Sequence, residues 1–276
     1  MVKTGQMVHR VNQEAVVLLG WGRAILLQLA HPLVAAAVAD HSDYWSGPLP
    51  YLRRIQRTVG SMLDLTFGTP SEVQAAADRI NAIHERVHGQ LRQDTARFPA
   101  GTYYTATDPA LLTWVHVTLV DSQLLAYETF VEALSLEEKD QYCSEAARFA
   151  ALLRIPSGLL PTNYYELTGH LKWFCEEDPV QITDTALRLS RDLLYPPGGF
   201  MARSLLGVGR LATAGLLPES IRLAYGLRWN EARQRRFHAL SGVIRQVRRV
   251  APRPVLVWAS ARRIQQEPPA GRCPIH

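Results

Sequence analysis

The sequence predicts an all-α, single-domain helical bundle, and three observations predict it. Apolar residues recur at three- and four-residue spacing along most of the chain, strand-type alternation is almost absent, and helix-start signals alternate with Pro/Gly breaks such as YPPGGF at 195–200. No internal repeat, low-complexity tract or Gly/Ser-rich linker divides the 276 residues. One domain over residues 1–276 is therefore expected, its last ten residues or so forming a tail.

The elements follow in order. Residues 15–39 form the most apolar stretch, but it carries Arg23, Gln28 and His31 and is interrupted by Pro32. Polar groups and a break at those positions suit a pair of buried core helices better than a bilayer span. His31, directly before Pro32, is expected to satisfy carbonyls freed by the break. The segment YLRRIQRTVGSML at 51–63 reads as a helix, which makes Arg54 and Thr58 neighbours on one face. The best-marked start comes next: Thr69 caps, Pro70 suits the first turn, and Glu72 completes a capping box. Val73, Ala76, Ala77, Ile80, His84 and Val87 then share one apolar stripe, so His84 is expected to point into the core. Asp108-Pro109 opens a run to about 133, and Ser135 with Glu138 opens another that reaches Ile155-Pro156. Further helices are expected at about 163–175, 183–194, 200–214, 229–250 and 255–264. His116, within LLTWVHVTLVDS, reads as a hydrogen-bonded core residue.

Composition narrows the function classes. With 47% hydrophobic residues the chain is not disordered. Three cysteines, Cys143, Cys175 and Cys273, are too few and too irregularly spaced for a disulfide framework or a cysteine zinc site, and Cys143 and Cys175 read as buried structural thiols. A reducing cytoplasm fits this, and the first ten residues show no secretory pattern. Residues 201–276 hold fourteen arginines, no lysine and three glutamates, a surplus of eleven positive charges against six negative ones elsewhere. Such a basic quarter is either balanced by the acidic remainder or makes peripheral contact with an anionic membrane; nucleic acid is not the expected partner.

Two patterns bear chemistry. His84-Glu85-Arg86-Val87-His88 is literally HExxH, the zinc-hydrolase pattern in which two histidines share a helical face and the glutamate acts as general base. No third ligand follows at the expected spacing, and the plainer reading is one core histidine, one surface histidine and a solvated Glu85. The other pattern is Arg54-x-x-Arg57-Thr58, where a guanidinium beside a hydroxyl suits a carboxylate-bearing ligand.

Taken together, the residues resemble a known family. RVNQEAVVLLGWGRAILLQLAHPLVAAAVADHS, Arg54-x-x-Arg57-Thr58, FGT at 67–69, IHxxVxG at 83–89, TATDPALLTWVHVTLVDS, LLP and GLRWNEAR occur in the order found in latex-clearing rubber oxygenases, MpaB-type oxygenases of fungal meroterpenoid biosynthesis and their actinobacterial relatives. The resemblance implies a helical bundle enclosing haem b. It implies His84 as axial iron ligand and Arg54 and Thr58 as the distal pair, with Arg57 where rubber oxygenases have lysine. It also implies an oxidoreductase that uses dioxygen on a lipophilic small molecule. Rubber oxygenases carry a glutamate base a few turns before the arginine. Here the stretch reads VAAAVADHSDYW and offers Asp40, His41 and Asp43 instead. The sequence leaves open whether the chemistry is that of a dioxygenase, a monooxygenase, a peroxidase-like enzyme or a non-catalytic haem-binding protein. It leaves open the zinc hydrolase, a cofactor-free scaffold and the oligomeric state as well.

Overall fold

A short helix, α1 (Gln6–Asn12), opens the chain and leads through a 3-10 turn (Ala15–Gly20) into α2 (Trp21–Leu29) and α3 (Pro32–His41). The structure is a computed structural model describing residues 6–41, 48–176, 181–195 and 200–266. Two longer helices, α4 (Pro48–Phe67) and α5 (Pro70–His84), are followed by a two-stranded antiparallel hairpin, β1 (His88–Gln90) and β2 (Tyr103–Thr105). Then come α6 (Pro109–Phe130), α7 (Leu136–Leu152), α8 (Tyr164–Glu176), α9 (Asp184–Leu194) and α10 (Phe200–Leu216). The chain continues with α11 (Glu219–Ala224), α12 (Glu231–Val250), α13 (Arg253–Leu256) and α14 (Ala259–Gln266). The tail expected after residue 266 lies outside the described residues, as does Cys273. The class is all-α, as the sequence predicts.

The bundle is built round α6. Its buried residues, among them Trp114, Val117, Val120, Leu124, Tyr127 and Phe130, fall on every side, and a helix apolar all round belongs in a core. The 3-10 turn and α2 pack on one side of it, α7 and α8 on another, α10 and α12 on a third. Close approach explains two glycines of the GWG segment. A Cβ on Gly20 would sit 2.5 Å from the Ser122 carbonyl oxygen of α6, and one on Gly22 would overlap the Thr213 hydroxyl of α10. Between them the chain buries Arg23, which ion-pairs with Asp121 at 2.5 Å and donates to Ser122 Oγ at 2.6 Å and to the Leu216 carbonyl at 2.9 Å. One guanidinium thus ties α2, α6 and the end of α10 together.

Residues 15–39 do form the expected buried pair, in α2 with its preceding 3-10 turn and in α3. The two halves bend by 107°, and no single helix among the described residues is long and apolar enough to cross a membrane. His31 acts differently from expectation. Its Nδ1 accepts from the Leu33 N–H at 3.3 Å, so it caps the new helix instead of serving carbonyls of the old one.

Both capping boxes are formed, at Thr69/Glu72 and Ser135/Glu138, and Asp108 caps α6. The helix ends are less local. The run expected to reach 133 stops at Phe130, and α7 stops at Leu152 because Arg154 turns left-handed, with φ at 61°. The single helix expected at 255–264 is two pieces. Trp258 N–H donates to the Gln13 carbonyl at 3.0 Å and Val257 bridges Glu14, so this stretch pairs with the N-terminal segment. The sheet and α11 have no counterpart in the sequence expectation.

The basic C-terminal quarter is partly internal. Arg248 grips Glu14 through two hydrogen bonds of 2.7 and 3.1 Å. Arg245 donates to the Glu128 and Thr129 carbonyls at the end of α6, Arg222 to the Ala214 carbonyl near the end of α10, and Arg210 to the Leu194 carbonyl closing α9. These cations sit where orphaned carbonyls and the helix dipole place negative charge.

Candidate functional site

The site begins with the turn between α4 and α5. Phe67 is buried against the His9 ring, with centroids 5.4 Å apart. A Cβ on Gly68 would overlap the Asp64 carbonyl and meet Glu72 Cβ at 2.9 Å, and Thr69 closes the box that starts α5. Each residue of the FGT segment is therefore fixed by the sharpness of the reversal. Two residues join helices that pack along one another, which is the geometry of an antiparallel αα-hairpin. At 1.5 Å per residue, Arg54 lies about 20 Å from the end of α4 and His84 about 21 Å from the start of α5. The Arg54-x-x-Arg57-Thr58 segment and His84 therefore come level at the same end of the hairpin.

On α4 the described side chains of Arg53, Gln56, Arg57 and Thr58 are exposed. The Arg54 side chain lies outside the described residues, although its place on the helix is set. On α5 the inward face is Val73, Ala76, Ala77, Ile80, Asn81 and His84, packed against Leu65, Leu152 and Leu153. Val87, expected on the same stripe, lies beyond the helix end.

His84 is half-buried, and its Nδ1 is sealed without a hydrogen-bond partner. Burial pushes its pKa below the ordinary 6.5, so the imidazole is neutral at pH 7. Three contacts fix its height. Asn81 Nδ2 donates to the Leu152 carbonyl at 3.0 Å, Glu85 ion-pairs with Arg154, and the β-hairpin clamps the chain just after the helix through the Ala106 N–H to Val87 carbonyl bond at 2.8 Å. Gly89, the glycine of IHxxVxG, faces Tyr104 across the hairpin, and a Cβ there would sit 2.5 Å from the Tyr104 hydroxyl. Sequence reasoning missed Asn81, Tyr104 and Arg154, and only the glycine hinted at so close a neighbour.

The zinc reading fails on this geometry. α5 ends at His84, Glu85 is its cap, and His88 stands in β1, exposed beside the Tyr103 ring. Two histidines four apart share a face only if the helix spans both. Among the described residues no three His, Cys, Asp or Glu side chains are grouped to hold a metal ion.

The candidate bases are engaged elsewhere. Asp40 accepts from the Tyr104 hydroxyl at 2.6 Å and from Arg92 at 2.7 Å, and His41 Nε2 meets the His88 carbonyl at 3.0 Å. Asp43 lies outside the described residues. These contacts bring the end of α3 beside the hairpin that follows His84. His116 also departs from expectation: its Nε2 is buried without a hydrogen-bond partner, and burial pushes its pKa down to about 4. Cys143 is buried, its thiol pushed up to about 12, and Cys175 is only half-buried. The described concavities lie apart from His84. A cavity of about 30 Å³, room for water only, separates α4 from the N-terminal segment, and clefts of about 560 and 720 Å³ run beside α9 and α8.

The family model described as "ER-bound oxygenase mpaB/B'/Rubber oxygenase, catalytic domain" matches residues 8–246. The chain belongs to this family. The match runs from α1 almost to the end of α12, so it takes in the α4–α5 hairpin, the β-hairpin and the α6 core. Two similar proteins are the uncharacterised proteins Mb2261 of Mycobacterium bovis and Rv2237 of Mycobacterium tuberculosis. Each is 29% identical over 236 residues, covering 83% of this chain and 87% of the relative. No solved structure matches. Membership of the mpaB/rubber oxygenase family places the chain among oxygenases and favours neither a hydrolase nor a scaffold.

Proposed function

We propose that this oxygenase depends on haem b and acts, with dioxygen, on a lipophilic small molecule. The observation that carries the reading is His84, a neutral, half-buried imidazole with one sealed nitrogen, level with Arg54-x-x-Arg57-Thr58 on the α4–α5 hairpin. The donor set fits the group. Haem brings four nitrogen ligands of its own and needs one imidazole, whereas a bare zinc ion needs three or four protein ligands. When bound, haem supplies the iron at which dioxygen is activated.

The remaining work falls to side chains. His84 would hold the cofactor through Nε2, leaving Nδ1 as the dry N–H side. Asn81, the Glu85–Arg154 pair and the β-hairpin would keep the imidazole at a fixed height and angle. Arg54 and Thr58, one turn apart, would direct donors toward the same acceptor, a partly negative oxygen or a carboxylate, and Arg57 adds positive charge beside them. Val73, Ile80, Leu152 and Leu153 pack into an apolar cluster on the inner side of the hairpin, which excludes water from that side of His84.

An absorption spectrum and iron analysis of freshly purified protein test the reading. A Soret band with stoichiometric iron is expected, lost in His84→Ala and retained in His88→Ala. Equal loss in both variants, or colourless protein that takes up no haemin, overturns it.

A further inference from the structure

Among the described C-terminal arginines, two sets stand out. Arg210, Arg222, Arg245 and Arg248 are turned inward onto carbonyls or Glu14. Arg236, Arg249 and Arg253 are exposed and have no hydrogen-bond or ion-pair partner among the described residues, and the exposed Arg235 has only the 3.4 Å pair with Glu231. The outward set is not scattered. At 100° per residue, Ala239, Val243, Val247 and Val250 form one seam on the outer face of α12, with Arg236 set within it between Val243 and Val247 and Arg235 and Arg249 along one flank. The seam is open: Val243 is 60% exposed and Val250 76%, and Val255 on α13, five residues further on, is 73% exposed as well. Beyond Glu231 in the first turn, neither α12 nor α13 contains an acidic residue.

A soluble helix with a solvated outer face has no reason to align valines there, and arginines within and beside the seam repel a second copy of it. We infer that the outer face of α12, continued by α13, is a docking surface for an anionic lipid bilayer, the valines entering the headgroup boundary while Arg236, Arg249 and Arg253 meet lipid phosphates. The chemistry is complementary in both parts. Guanidinium binds phosphate through paired hydrogen bonds, and a laterally fluid anionic surface satisfies cations within and beside a seam at once. This surface lies apart from the α4–α5 hairpin and does not depend on the cofactor reading.

Flotation of the full chain with vesicles of phosphatidylcholine and phosphatidylglycerol, against phosphatidylcholine alone, tests it. Binding to the anionic vesicles is expected at low salt and weakening at high salt. The combined Arg236→Gln, Arg249→Gln and Arg253→Gln substitutions should weaken partitioning on the order of a hundredfold. Val243→Ser with Val247→Ser should weaken it as well, with both variants keeping the wild-type unfolding midpoint because the changed side chains are exposed. Four outcomes overturn the inference: no flotation at low salt, equal flotation with phosphatidylcholine alone, insensitivity to the serine pair, or a serine-sensitive dimer that ignores vesicles.

Discussion

His31 and His116 are imidazoles that the fold keeps away from water, and each is pushed down to about 4 chiefly by burial. The unfolded chain takes up protons below the ordinary pKa near 6.5, while the folded chain does not until about 4. In that window the unfolded state binds more protons, so stability rises with pH. It is fully present above about 6.5, falls as the pH drops toward 4, and changes little below that. Each group contributes about 3 kcal/mol of this loss. Urea unfolding at about pH 7 and about pH 4.5 should show the difference, and His116→Leu should remove roughly half of it. An unchanged slope in that variant would show that His116 is already hydrated in the folded protein.

Among the elements, the contacts that matter most are approaches between helix backbones. Gly20 and Gly22 look equivalent in the GWG segment, yet they face different atoms. Gly20 meets the Ser122 carbonyl, which cannot move without breaking α6, whereas Gly22 meets the Thr213 side chain. Gly20→Ala and Gly22→Ala should each cost about 1 to 3 kcal/mol through overpacking. Thr213→Ala should restore much of the loss in the Gly22 variant and none of it in the Gly20 variant. A double-mutant cycle by chemical denaturation reads the coupling directly. Equal rescue of both would mean that α2 shifts as a body and that the two contacts are not separate constraints.

For the molecule as a whole, the Arg23–Asp121 pair is an ion pair buried where α2, α6 and α10 meet, with both residues under 10% exposed. Removing one partner leaves a buried charge uncompensated. Arg23→Met should therefore cost about 3 to 5 kcal/mol, while adding Asp121→Leu should return a large part of it. A double variant no more stable than the single one would indicate that the hydrogen bonds to Ser122 and Leu216, and not the charge pair, hold α2, α6 and α10 in place.

The sequence by itself determined the helical class, the starts of α5, α6 and α7, and the inward direction of His84. Caps and 3.6-residue periodicity are properties of neighbouring residues, so they are readable in a single chain. Tertiary structure decided where α5 stops. The pairing of β1 with β2 and the Gly89–Tyr104 approach end the helix at His84 and remove His88 from its face, which turns an apparent HExxH site into one inward histidine. It also decided which arginines serve carbonyls at distant helix ends and which face outward on α12. Those outcomes rest on hydrogen bonds and ion pairs between residues far apart in the chain, as between Arg245 and the end of α6 or Arg248 and Glu14, and such partners leave no periodicity for the sequence to display.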